Sequence, residues 1–488
     1  MSHIHETHHQ RGIALLGAMV CVLILSLLGV TILNLAGQEV VSAHGGREAV
    51  TAQQLADAAG EVVVSWFHDP QARSVLSTPS SAVEKKSHDA EGTLSFFDQT
   101  GRSQFVGTVS RPDMHLDGGA ASDDLVLNDP GTGLFRAMRH LGRIEELKVY
   151  APSTPGLLCT VDARVATHTN PPFRQSVLMQ LAAVELPPLR AAVQVTQNLG
   201  VLQPGGEAPV SIHWGDLKVG GDFVVGRAEE IPAKSTLAPV TGLGYDETIR
   251  REDRWMDAWV GGNVHIAQLP IGEQPTLPHN VHPQQHPAPG IQLDQWNYEH
   301  LKSIAKQHGR YFAIDQGGFL YPDGVVNPGG GLTPDAVFQP KRPGDHHGLI
   351  FIDTLDQTAP RADNLGTLRL HTAYLEGHVA MQGHVVLAPS GSGQSISILS
   401  PPDTEQTGNQ SRTPIALSRI HFNGVLSAAG NITVAGRARI YGAVVVGGTI
   451  ISNSGGMLEV WYEHDLGQGL YRGVPLVYRA PGAWVARY

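Results

Sequence analysis

Two cysteines among 488 residues leave little scope for a disulfide-stapled fold. Cys21 falls inside a long apolar run and Cys159 inside the strand-like Leu157-Leu158-Cys159-Thr160-Val161. The two are not expected to meet, and Cys159 reads as a small buried apolar residue. Without staples, an exported chain must rely on an apolar core, for which 41% hydrophobic residues suffice. Charge is scarce as well, at 16% of residues, and its formal balance is −11. A nucleic-acid surface needs basic clusters, so no nucleic acid is expected as a partner. No Ser-His-Asp set, GxGxxG or phosphate-binding loop is recognisable, and neither a catalytic residue nor a cofactor is expected.

The longest charge-free stretch is the most informative feature present. From Ile13 to Ala36 no residue is charged. As a helix that run is roughly 36 Å long, enough to span a bilayer's hydrocarbon core. A polar stub precedes it, carries His3, His5, His8 and His9, and ends in Arg11-Gly12. Three readings compete. A secretory signal peptide has Val41-Ser42-Ala43 as its cleavage site, but the apolar core is too long and Arg11 stands against Glu6. A plain signal anchor needs nothing further. In the third reading, a short hydrophilic leader is cut between Gly12 and Ile13.

The third reading rests on a resemblance. Gln10-Arg11-Gly12, Ala14-Leu15-Leu16 and Leu27-Leu28-Gly29-Val30 resemble the N-termini of PilX-type minor pilins, over about the first 65 residues. The resemblance implies a prepilin leader removed by prepilin peptidase, with Gly12 and Ile13 flanking the cut. Major pilins carry Glu at the fifth mature position, pairing with a neighbour's N-terminal amine during assembly. Gly17 stands there in this chain, which implies a minor or tip component. A carboxylate in lipid is expensive without a partner.

Beyond the apolar run the helix is expected to continue. Leu55, Ala59, Val62 and Trp66 form one stripe, with Glu48, Gln53, Gln54, Asp57 and Glu61 opposite. Gly45-Gly46 mark the place where it would break or kink. An unbroken rod from Ile13 to Phe67 would measure on the order of 80 Å. The remainder, with 56 Gly and 32 Pro in the whole chain, favours short strands over long helices. The expected fold class is therefore α+β: a long N-terminal membrane and rod helix, then a β-rich head.

A second periodic signal closes the chain. Gly424, Gly430, Gly436, Gly442 and Gly448 recur every six residues. Leu426, Ile432, Val434, Ile440, Val444 and Val446 fall at the alternating positions between them. Apolar alternation with a glycine at each turn predicts stacked coils of a parallel β-solenoid-like block, each glycine at an equivalent turn. Gly377 and Gly383 repeat the spacing ahead of a Ser/Gly-rich loop at Ser390–Gln394. An antiparallel sheet with glycine turns is the alternative. Hexapeptide acyltransferases place glycine differently, and His421 is the nearest histidine to a site. Glycosidases and lyases on such scaffolds need a carboxylate or basic cluster; between Val425 and Met457 only Arg437 and Arg439 are charged. The block therefore reads as rigid display.

Several phrases between look specific without evident chemistry. His213–Val225, HWGDLKVGGDFVV, alternates around Gly220-Gly221, and a similar Trp-Gly-Asp phrase recurs in PilX-like proteins with large heads. Asp216 and Asp222 are candidate oxygen ligands for Ca²⁺, though turn and strand-end roles are the expectation. Asp315-Gln316-Gly317-Gly318 with Asp323-Gly324 hints at a calcium loop but lacks EF-hand spacing. His279, His282 and His286 sit among four prolines, which rule out a zinc-binding helix. His346-His347, after Pro343-Gly344-Asp345, likewise reads as loop. No metal site is expected.

The organisation expected is leader 1–12, membrane and rod helix 13–67, first β-rich head region 68–200, and second β-rich region 201–270. A Pro/His-rich linker follows at 271–292, then a mixed region 293–347 with a short helix at Tyr298–Gln307, and the solenoid-like block 348–488. Strands are expected at Ile144–Ala151, Leu158–Ala166 and Arg174–Ala182. The functional expectation is a minor pilin-like structural subunit, not an enzyme, that assembles into, primes or caps a type IV pilus or related filament. Its partners would be other minor and major pilins, prepilin peptidase and the pilus inner-membrane platform. Its place would be the inner membrane, with the head in the periplasm, then the cell-surface pilus. The alternatives are a type II secretion minor pseudopilin, whose head is largely helical, or a signal-anchored envelope protein with an adhesive solenoid head.

Overall fold

The computed structural model describes residues 6–68, 95–201 apart from 99, 210–226, 257–267, 269, 277, 281–285, 298–399 apart from 328 and 341, and 414–487 apart from 453, 454, 472 and 475. They form two compact units.

The first unit joins helix α1 (Glu6–His68) to an antiparallel sheet. Helix α1 runs for 63 residues without a break at Gly45-Gly46, because a helix this long loses only about 1 kcal/mol at each interior glycine. The sheet contains β1 (Met114–Asp117), β2 (Gly142–Tyr150), β3 (Cys159–Thr167) and β4 (Arg174–Ala183) in that order, followed by the C-terminal strand Val477–Arg487. The three longer hairpin strands lie within a residue or two of their expected positions, since period-2 alternation marks them. Register sets Cys159 opposite Leu181, Val161 opposite Met179 and Ala163 opposite Val177, all buried. The C-terminal strand occupies an edge, the position in a sheet where a proline such as Pro481 is tolerated.

The second unit spans Ala183–Val477 and is built on parallel pairing. Its large sheet of 12 strands pairs Leu349–Thr354, Leu375–Met381, Phe422–Ala428 and Arg437–Val446 in succession, all parallel. A smaller seven-stranded sheet pairs Thr367–Leu370, His384–Leu387, Ile432–Val434 and Ile450–Ser452 in the same sense. The chain alternates between the sheets, so consecutive circuits stack. Leu426, Ile432, Val434, Val444 and Val446 are fully buried and Ile440 nearly so.

The glycine repeat has a different meaning from the one expected. Gly424 pairs with Gly442, and the Gly448 N–H donates to the Gly430 carbonyl at 3.0 Å. Equivalent positions therefore recur after 18 residues, as Asn431 and Thr449 also do. The six-residue spacing divides one circuit into thirds, and the five glycines are not five equivalent turns. Gly424 pairs with Gly377 in turn, across the inserted antiparallel hairpin Gln394–Leu399 and Pro414–Ile420. Both Gly424 and Gly442 have φ of +134° and +140°, and a Cβ on Gly442 would lie 1.8 Å from the Gly424 carbonyl oxygen. Only glycine permits that approach.

The boundaries expected at 200 and 348 do not coincide with the compact units. Val193–Val195 and Leu199–Val201 pair in parallel with Arg437–Val446 and Ile450–Ser452, so the early strands continue the stack that the late ones end. Leu217–Val219, Ala258–Val260 and Val281–His282 extend it further. Neither boundary was visible locally, because parallel pairing joins strands regardless of sequence distance.

Candidate functional site

The feature with the clearest physical demand is α1. Its apolar half stays uncovered: Met19, Leu23, Leu25 and Leu33 are among many exposed large apolar residues. That segment is long and apolar enough to cross a membrane and is not buried. Cys21 lies exposed within it, unpaired with Cys159. Gly12 and Ile13 fall inside α1, and their side chains lie outside the described residues, as do those of His3, His5, His8 and His9.

The second half of α1 is amphipathic and packs on the sheet. Ala52, Leu55, Ala56, Ala59, Val63, Trp66 and Phe67 are buried, while Val62 is only half-buried. The buried stripe thus runs through Val63, with Val62 at its margin; both positions are compatible with a 3.6-residue period. Burial of each large apolar side chain contributes on the order of 1.5–3 kcal/mol. A Cβ at Gly60 would meet the Met179 sulfur of β4 at 2.5 Å, so helix and sheet touch closely there. Arg479 of the C-terminal strand clasps the polar flank. Its Nη1 lies 3.0 Å from Asp57 Oδ1 and its Nη2 lies 3.1 Å from Glu61 Oε1. Cys159 lies in the core beneath, and burial pushes its thiol pKa up, away from reactivity.

Asp216 and Asp222 do not converge. They flank opposite ends of Leu217–Val219, and each instead meets the equivalent residue one circuit on. Asp216 Oδ1 accepts the Asp257 N–H at 3.3 Å, and Asp222 Oδ1 accepts the Asn263 N–H at 2.8 Å. Burial pushes the Asp216 pKa up, with the Asp257 carboxylate adding to the shift. His282 completes this edge, its Nε2 3.0 Å from Asp257 and its ring stacked on Trp259 at 4.2 Å. His279 and His286 lie outside the described residues.

These contacts expose a repeat that sequence reading missed. Asp257-Ala258-Trp259-Val260-Gly261-Gly262-Asn263-Val264 restates Asp216-Leu217-Lys218-Val219-Gly220-Gly221-Asp222-Phe223 at a spacing of 41 residues. The residue after the glycines meets the next circuit, Asp222 accepting the Asn263 N–H and Asn263 accepting from the Gln284 side-chain amide at 2.8 Å; Asn198, which follows Thr196-Gln197 instead, accepts the Asp222 N–H at 2.7 Å. The same office falls to Asn431, which accepts the Thr449 N–H at 3.0 Å. Val-Gly-Gly followed by Asp, Asn or Thr, at 219–222, 260–263 and 446–449, was the available signal.

Asp315 serves a turn. Its two oxygens accept the Phe319 N–H at 2.8 Å and the Tyr321 hydroxyl at 3.0 Å, while Asp323 sits exposed at positive φ before Gly324. Asp353, fully buried, is met by Lys302 at 2.8 Å and by the Tyr298 and Tyr311 hydroxyls at 2.7 and 2.6 Å. This satisfied network fixes helix Tyr298–His308 against the stack. His346 and His347 belong to a loop, as expected, with Glu376 and Arg310 as their respective neighbours. Among the described residues, no three His, Cys, Asp or Glu side chains gather as a metal-binding group.

No protein-family model and no curated protein matches this chain. Among solved structures, the competence-associated pilin ComZ from Thermus thermophilus is similar at 11% identity and a TM-score of 0.25. The match covers 71% of this chain and 84% of that one. At that TM-score the two folds are not equated.

Proposed function

We propose that this chain is a minor pilin-like subunit of the PilX type, which assembles into, primes or caps a type IV pilus or related filament. The observation that carries the reading is α1 itself: one continuous helix, apolar and uncovered in its first half, packed by an amphipathic stripe on an antiparallel sheet in its second. Uncovered apolar surface of that extent needs a bilayer or other helices around it. In this reading prepilin peptidase cuts between Gly12 and Ile13, the inner membrane holds the helix, and the periplasmic head later joins the surface filament. Other minor and major pilins and the inner-membrane platform are its partners. Gly17, in place of an acidic residue, fits a minor position.

The parallel sheets of Ala183–Val477 are read as faces of a β-solenoid whose task is rigid display. The protein is read as a non-catalytic structural component. A type II secretion pseudopilin remains the runner-up, against which the β-rich composition of the chain weighs. N-terminal sequencing of the mature protein tests the assignment. The expected first residue is Ile13, with Gly12→Val left uncut. A mature terminus at His44 identifies an ordinary signal peptide, and a retained leader identifies a signal anchor; either result ends the pilin reading.

A further inference from the structure

Beside strand Arg310–Ile314 of the second unit lies a cavity of about 410 Å³, lined by Arg310, Ala336, Val337, Gln339, His346 and His347. That size falls within the range of small-molecule sites. Arg310 is its one strong cation among these residues. Its guanidinium rests over the Phe312 ring at 5.2 Å, and Nη1 donates to His347 Nδ1 at 2.7 Å. Accepting that bond leaves His347 Nδ1 without a proton. Glu376, the carboxylate beside His346, is committed elsewhere. It is buried, accepts the Gly344 N–H at 2.8 Å and the Tyr374 hydroxyl at 2.7 Å, and lies 3.1 Å from His346.

Arg310 therefore has no carboxylate partner among the described residues, although it is half-buried. Burial alone pushes its pKa down, the mark of a cation withdrawn from water without a counter-charge. A guanidinium so placed presents a planar donor fork matched to carboxylate and phosphate oxygens. Ala336 and Val337 supply an apolar wall and Gln339 an amide, the usual complement for orienting a small polar ligand.

We propose that the Arg310 cavity is a binding site for a small oxyanionic ligand, one bearing a carboxylate or phosphate group that pairs with the guanidinium. The site is independent of the filament assignment. Calorimetric titration of the full-length protein in detergent, with glucuronate, inorganic phosphate and neutral glucose as probes, tests it. Saturable binding of glucuronate alone identifies a carboxylate ligand and binding of phosphate alone a phosphate ligand; either supports the proposal, with glucose silent. Arg310→Gln is expected to weaken binding by at least about tenfold, and Arg310→Lys to lose less. Ala336→Trp, made at an exposed position of the wall, should block the cavity while leaving the unfolding midpoint unchanged, and it decides the matter if Arg310→Gln does not fold. No saturable binding of either anion up to about 10 mM, undiminished binding in both Arg310→Gln and Ala336→Trp, or glucose binding as tightly overturns the proposal.

Discussion

His378 shows how a single buried group sets a pH response. Its ring is 1% exposed and stacks on Tyr471 at 5.6 Å. Burial disfavours the imidazolium and pulls its pKa from 6.5 down to about 3. Between those values the unfolded chain binds a proton that the folded chain refuses. The stability it contributes is complete above about pH 6.5 and is lost as pH falls toward 3, by at most about 1.4 kcal/mol per pH unit. Denaturant unfolding at pH 7 and pH 5 should show a smaller loss in His378→Phe, which keeps a stacked ring, than in the wild type. Equal losses would place the acid sensitivity elsewhere. Gly442 is the backbone counterpart. Gly442→Ala forces a Cβ against the Gly424 carbonyl at positive φ, and should cost about 1–3 kcal/mol, read as a fall in unfolding midpoint.

At the scale of elements, the two units use different means of cohesion. In the stack, apolar side chains from successive circuits share one core, so a charge inside it has nowhere to go. Ile440→Asp buries an unpaired carboxylate where Ile440 is 1% exposed, and should destabilise by several kcal/mol, of order 3–5. In the first unit, helix and sheet are joined chiefly by the stripe from Ala52 to Phe67. The Arg479 clasp is one-third exposed at both Arg479 and Asp57, so screening limits it, and Arg479→Ala should cost less than about 1 kcal/mol. A larger loss by denaturant titration would mean that the C-terminal strand itself had come away from β4.

For the molecule as a whole, the filament reading concentrates function in the helix. Leu25→Arg puts a charge at mid-span of the apolar run and should cost roughly 2.5–3.5 kcal/mol of insertion, abolishing incorporation into filaments. Alanine at Asp216, Asp315, His282 or Asp345 should leave assembly near normal, as counted by electron microscopy and immunoblot of sheared pili. A hydrolase or transferase activity of the purified protein lost in one of these variants would require the non-catalytic reading to be abandoned.

What the sequence determined by itself is everything that depends on short-range pattern. Charge exclusion from Ile13 to Ala36 marked the apolar helix, period 3.6 marked its packed stripe, and period 2 marked β2, β3 and β4 within a residue or two. What only the tertiary structure decided is which distant segments meet. The strand Val477–Arg487 edges the first sheet, and although Pro481 suits an edge, nothing in its sequence names the sheet it joins. Val193–Val195 joins Arg437–Val446 across about half of the chain. Arg310 gains its cavity from a loop some 30 residues on, near His347. Ladders are held by backbone hydrogen bonds, which every residue but proline can donate, so the side-chain alphabet carries little record of the partner strand chosen. The glycines are the exception, because three backbones meeting at Gly377, Gly424 and Gly442 admit no Cβ. Between Gly424 and Gly442 they leave the 18-residue circuit legible in the sequence.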